Sequence, residues 1–199
     1  GKPTCHKKFD ETMALLAGDA LLTYAFELLA KHYQDTPRIA AGLVLDLSIA
    51  GGSQKMIGGQ VEDVLGERDG KMTPDKLEFI HHNKTAALIT AAVTMGIRLS
   101  DSYDVQKLEV AREIGKNIGL AFQVIDDILD VTSDDATMGK TTGLDAQNEK
   151  MTYVSLYGIE RSREIAAELT GKAIADCQKL SDNCEFFKAL ITYMQNRIN

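Results

Sequence analysis

Proline is scarce in this 199-residue chain: Pro3, Pro37 and Pro74 are the only three. Each stands ahead of a long segment of helical period, where a helix tolerates it. Hairpin dipeptides between alternating strands are missing as well. Asp69-Gly70 lies between two helical patterns and reads as a helix–helix loop. Cysteine is equally sparse. Cys5, Cys177 and Cys184 are odd in number and scattered, which does not read as a disulfide framework and makes a reducing, cytoplasmic compartment the simpler expectation. No run of about 18 apolar residues occurs, so no transmembrane segment is expected, and no signal peptide is visible. The chain opens at Gly1 without an initiator Met, as a trimmed start would. There is no Lys/Arg run, and the formal net charge is -7, which argues against a nucleic-acid partner.

What is present is globular. Hydrophobic residues make up 44% and charged residues 26% of the chain, enough to build a core and too apolar for disorder. The apolar period predicts an all-α protein with helices at about residues 4–32, 37–51, 53–66, 74–98, 104–133, 152–179 and 184–197. Thr73-Pro74-Asp75 and 102–104 carry N-cap chemistry. The stretch 133–150 is rich in Asp, Gly, Thr and Asn and lacks a period, so it is the candidate functional loop. No repeat, low-complexity tract or linker interrupts residues 1–199, which reads as one domain.

The most informative segment is Gly119-Leu120-Ala121-Phe122-Gln123-Val124-Ile125-Asp126-Asp127-Ile128-Leu129-Asp130-Val131. On a helical projection, Asp126 at 0° is followed by Asp130 at about 40°, Gln123 at about 60° and Asp127 at about 100°. Leu120, Val124, Ile125, Ile128, Leu129 and Val131 fill the opposite arc. A helix this apolar around its circumference is mostly buried, and three clustered carboxylates inside a protein need a positive partner. Hard oxygen donors without Cys or His suit Mg²⁺ or Mn²⁺, held by one or two carboxylates together with substrate phosphates. The plainer alternative is an acidic stripe solvating a surface helix.

Two other motifs fail. A Walker loop ending in Gly139-Lys140-Thr141 would need Gly where Asp134 stands, and no strand precedes it. An EF-hand starting at Asp130 would need Gly at Asp135 and Glu at Thr141.

Lys84 shares a helical face with Leu77, Ile80, Leu88, Ala91 and Met95. A lysine there either snorkels to water or points an ammonium at an anion, with Thr85 able to add an oxygen. Gln60 shares a face with Ile57 and Val64 and is either a core amide or a ligand contact. Lys140 lies in the glycine-flanked loop after the acidic helix. His81 and His82 lack metal-ligand spacing, and Tyr153 and Tyr157 read as packing residues.

In order along the chain stand Gly1-Lys2-Pro3-Thr4-Cys5-His6, Ala17-Gly18-Asp19-Ala20-Leu21, Gly58-Gly59-Gln60-x-x-Asp63, His82-x-Lys84-Thr85, the Gly119–Asp130 segment, Gly139-Lys140-x-x-Gly143-x-Asp145 and Lys150-x-Thr152-Tyr153. This set resembles the trans-polyprenyl diphosphate synthases, of farnesyl and geranylgeranyl type, over nearly the whole chain. The resemblance implies a helical bundle around an apolar cavity. It implies Mg²⁺ (or Mn²⁺) at Asp126, Asp127 and Asp130, and diphosphate held by Lys84 and Lys140. Thr85 and Gln123 would face an allylic cation, with Gln60 and Asp63 as a polar pair lower in the cavity. The substrates would be an allylic prenyl diphosphate and isopentenyl diphosphate, joined head to tail after ionisation of the allylic C–O bond, and the assembly a homodimer.

Those synthases carry a first aspartate-rich motif upstream of the stretch that matches Gly1, so this chain corresponds to the C-terminal two-thirds of the domain. By itself it is expected to show little or no synthase activity; normal turnover with Mg²⁺ would refute that. The alternatives are a non-catalytic subunit and a related class I terpene or head-to-head synthase. The intact second motif and both lysines count against the first. The Phe122-Gln123-x-x-Asp126-Asp127 pattern followed by Lys140 fits the second less well.

Overall fold

The computed structural model describes residues 2–100, 104–132, 151–180 and 184–196. The candidate loop 133–150, and Lys140 with it, lies outside the described residues. Every regular element among them is helical: α1 (Cys5–Lys8), α2 (Glu11–His32), α3 (Pro37–Gly51), α4 (Met56–Asp69), α5 (Pro74–Ile80), a π-helical turn (His81–Thr85), α6 (Ala86–Arg98), α7 (Val105–Thr132), α8 (Tyr153–Tyr157), α9 (Ile159–Leu180) and α10 (Glu185–Gln195). Three expected helices are subdivided. The first breaks at Phe9-Asp10, where the Asp10 carboxylate accepts from the Met13 N–H at 2.7 Å and starts a new helix. Another breaks at Gly158, whose φ is +78°. The predicted 74–98 helix runs as α5, the π turn and α6.

By its contacts the chain divides into two units, Gly1–Leu45 and Asp46–Asn199. In the first, α2 has no buried residue and exposes Leu15, Leu16, Leu21, Leu22 and Tyr24. No uninterrupted apolar run is present, yet α2 is long and apolar enough to cross a membrane by length and composition alone, with a mean hydropathy of 1.5 over its best 18-residue window. The core helix of a soluble protein passes the same test.

The second unit is organised by α7, which packs chiefly against α9 and α6. Ile114, Ile118, Val124, Ile125 and Ile128 on α7 are all 5% exposed or less, each contributing about 1.5–3 kcal/mol on burial. Ile114 and Ile118 join Ala173, Cys177, Cys184 and Ile191 in one cluster. Val124, Ile125, Ile128 and Leu129 join Leu77, Tyr153 and Ala166 in another. The acidic segment of α7 is therefore buried around most of its circumference as far as Asp130, while Val131, which the projection placed on the apolar arc, is 42% exposed.

Both expected N-caps are present. Thr73 Oγ1 accepts from the Lys76 N–H and Asp104 Oδ1 from the Lys107 N–H, at 3.3 and 2.8 Å. Thr73→Ala is expected to cost about 1 kcal/mol and to lower Tm by roughly 2–4 °C in a thermal melt.

Candidate active site

The site is built on the π turn. Five residues wound one step wider than an α-helix interrupt the 74–98 helix, and such turns are frequent at functional positions. Two glycines let other helices close on it. A Cβ on Gly59 of α4 would overlap the Lys84 backbone N and lie 2.9 Å from its Cα. A Cβ on Gly119 of α7 would lie 2.5 Å from the Ala86 Cβ. The backbones of α4 and α7 thus approach the turn more closely than any side chain would permit.

Lys84 Nζ donates to Asp63 Oδ2 at 2.5 Å. The lysine side chain is 34% exposed and the aspartate side chain 6%, so the ammonium sits at the boundary of the interior with its counter-ion behind it. On the other side of the turn, Thr85 Oγ1 donates to Gln123 Oε1 at 3.0 Å. The Gln123 Nε2 group donates to Asp127 Oδ1 at 3.1 Å. The Tyr153 backbone N–H donates to Asp127 Oδ2 at 2.9 Å. The Tyr153 ring stacks on His81, with centroids 5.3 Å apart and planes 21° from parallel. His81 had no role in the sequence reading; its position beside a tyrosine two helices away left no local signal.

The three aspartates differ in setting. Asp127 is 3% and Asp130 8% exposed, whereas Asp126 is half-buried. Among the described residues no three His, Cys, Asp or Glu side chains converge on one point. Gln60 lies on the exposed face of α4 with Ile57, Val61 and Val64. The structure therefore brings together Lys84, Thr85, Gln123 and Asp127 around one turn.

Next to the turn, and not lined by Lys84 or Gln123, lies a cavity of about 530 Å³. It is lined by Ala50, Ala86, Ala87 and Ala91 together with His82 and the charged Asp46, Lys55, Arg112, Glu113 and Lys116. Burial lowers the His82 pKa below its ordinary 6.5, and the Lys116 charge adds to this, while Glu78 opposes it and Lys55 lowers it further. The folded state therefore binds this proton less readily than the unfolded chain. The associated stability is present above pH 6.5 and lost as pH falls below it. His82→Gln is expected to flatten the decline of Tm between pH 7 and 5. Burial raises the Tyr153 phenol to about 12, with Glu78, Tyr157 and Asp127 adding to the effect.

A family model described as Polyprenyl synthetase matches residues 1–190. The chain belongs to the polyprenyl synthetase family. It is 44% identical over 200 residues to a farnesyl diphosphate synthase from Micrococcus luteus, covering 99% of this chain and 67% of that protein. It is 42% identical over 174 residues to a chloroplastic geranylgeranyl pyrophosphate synthase from Capsicum annuum, covering 87% of this chain and 47% of that protein. The fold is similar to that of a Helicobacter pylori geranyltransferase complexed with magnesium and isoprenyl diphosphate, with a TM-score of 0.83 and 38% identity over 99% of this chain and 64% of that one. The chain thus spans about half to two-thirds of the length of these relatives. As a polyprenyl synthetase it has the all-helical architecture of its neighbours, and its Gly59, Lys84 and Gln123 stand within the motifs that carried the resemblance.

Proposed function

We propose that this chain is the larger part of a prenyltransferase that joins an allylic prenyl diphosphate to isopentenyl diphosphate, head to tail. The observation that carries the proposal is the apposition, at one π turn, of a half-exposed ammonium on Lys84 and an oriented Thr85–Gln123 pair on its other side. Lys84 is placed to hold the departing diphosphate: an ammonium already poised on a carboxylate at 2.5 Å can share its donors with phosphate oxygens. Thr85 and Gln123 present oxygen dipoles to an adjoining cation. Lys140, outside the described residues, is assigned a second contact to the diphosphate, and Gln60, exposed on α4, a further substrate contact.

The donor set fits a magnesium ion: carboxylates only, with Asp126 and Asp130 one helical turn apart and Asp126 partly accessible. Asp126, Asp127 and Asp130 are the candidate residues, with Asp126 and Asp130 better disposed. When bound, the ion supplies positive charge that neutralises the leaving diphosphate. The allylic C–O bond breaks with its electron pair passing to the diphosphate. The alkene of isopentenyl diphosphate provides the pair for the new C–C bond, and a proton passes to the released diphosphate.

The exposed apolar side chains of α2 support a homodimer. Three free cysteines support a reducing compartment such as the cytoplasm. The test is product analysis. The complete synthase containing this chain, given Mg²⁺, labelled isopentenyl diphosphate and an allylic diphosphate, is expected to release a chain-elongated allylic diphosphate and to stop on chelation. Absence of elongation, or a head-to-head product, contradicts the proposal.

A further inference from the structure

We infer that Asp127 is a positioning residue: its carboxylate fixes the orientation of the Gln123 amide and anchors the start of α8, and it is not a ligand of the divalent ion. The role given to the Gln123 oxygen rests on the prenyl-transfer reading; the clamp itself does not.

Both oxygens of Asp127 are engaged, one by Gln123 Nε2 at 3.1 Å and the other by the Tyr153 N–H at 2.9 Å. An ionised carboxylate only accepts. It therefore selects the Gln123 rotamer that turns Nε2 inward and leaves Oε1 to receive the Thr85 hydroxyl at 3.0 Å. The Tyr153 N–H is the first donor of α8, one of the groups that a helix start leaves unsatisfied. Thr152 and Ser155 form a capping box that satisfies the neighbouring donors, and Asp127 completes the set with a charge-assisted bond.

The Tyr153 ring then returns to His81, on the same π turn as Thr85. The contacts form a closed circuit from turn to α7 to α8 and back to the turn. Both Asp127 oxygens are already taken by protein donors, while Asp126 is half-buried and partly open to an ion and its waters. The helical projection agrees: Asp126 and Asp130 lie about 40° apart and Asp127 about 100° from Asp126.

The substitution Asp127→Asn separates the two roles. An asparagine whose Oδ1 keeps the Tyr153 N–H must turn its Nδ2 toward Gln123. That flips the glutamine amide, so that Nε2 donates to the Thr85 oxygen and Oε1 faces away from it. Asp127→Leu removes both bonds.

The experiment has three readouts. Hydrogen exchange of the peptide over 151–157 is expected to quicken about tenfold at the Tyr153 amide in Asp127→Leu and to stay near native in Asp127→Asn. Titration with Mn²⁺ in the presence of inorganic pyrophosphate is expected to give affinities within about twofold of native for both variants, and about tenfold weaker for Asp126→Asn. In the complete synthase, Asp127→Asn is expected to lower kcat about tenfold with its KM for the allylic substrate and its Mg²⁺ requirement unchanged.

The inference is overturned if either Asp127 variant weakens Mn²⁺ as much as Asp126→Asn does, if the Tyr153 amide keeps native protection in Asp127→Leu, or if Asp127→Asn turns over at the native rate. Should Asp126→Asn also bind Mn²⁺ normally, the metal reading of the site fails, and the exchange rate at Tyr153 still decides the clamp.

Discussion

Replacing Lys84 with methionine is expected to lower turnover of the complete synthase by about 10²–10³-fold, the loss usual when one donor to a developing negative charge is removed from a preorganised site. Methionine keeps much of the aliphatic stem and removes only the charge. The ammonium goes, and with it the counter-ion of Asp63, whose side chain is only 6% exposed. Removing one partner of a buried ion pair costs about 3–5 kcal/mol, and the one-third exposure of the lysine reduces this to about 2.

Lower stability and lower turnover are separable. Asp63→Asn added to Lys84→Met removes the negative charge that the lysine balanced and is expected to restore most of the lost Tm without restoring kcat. If the double substitution recovers both, Lys84 matters only as a partner for Asp63, and its assignment to the diphosphate is wrong.

Gly119→Ala is expected to be among the most destabilising single methyl additions in the second unit. The new Cβ would lie 2.5 Å from the Ala86 Cβ and overlap the Ala86 backbone, which cannot swing aside as a flexible side chain could. Overpacking of this kind costs about 3 kcal/mol, or a fall of roughly 6–12 °C in Tm for a chain of this size. The strain is relieved by α7 moving away from α6, which also lengthens the 3.0 Å bond between Thr85 and Gln123. Turnover should therefore fall even at temperatures where the variant remains folded. Gly171→Ala, at an exposed position on α9 with open space around it, is the control and should leave both properties near native.

The helical frame was legible because its signals are local. The apolar period gave α3 at its observed bounds and α7 to within a residue, and Thr73 and Asp104 marked helix starts by hydrogen bonds that their own side chains make. Asp10 is the same kind of signal and was passed over, because the apolar period continues across it. The π turn was not legible. Residues 74–98 have an unbroken helical period, and the wider turn depends on contacts made by Gly59 and Tyr153, which are distant in sequence.

The same divide runs through the site. The buried acidic helix follows from its own composition. Whether the mid-stripe Lys84 snorkels to water or meets an anion was left open by the sequence, and the approach of α4 brings Asp63 to it. The distinct setting of Asp127 was present in the projection as its angular separation from Asp126. Its engagement by the Tyr153 N–H needed the fold, since α8 begins 26 residues later.

The Mg²⁺ dependence of prenyl transfer by the complete synthase, measured for the native enzyme and for Asp126→Asn, tests most directly whether the acidic face of α7 serves the diphosphate. The native enzyme should convert labelled isopentenyl diphosphate to elongated product and saturate with Mg²⁺. Asp126→Asn should lose at least about 100-fold in turnover and regain part of it as Mg²⁺ is raised. Native turnover by Asp126→Asn at the same Mg²⁺ concentration would contradict the account.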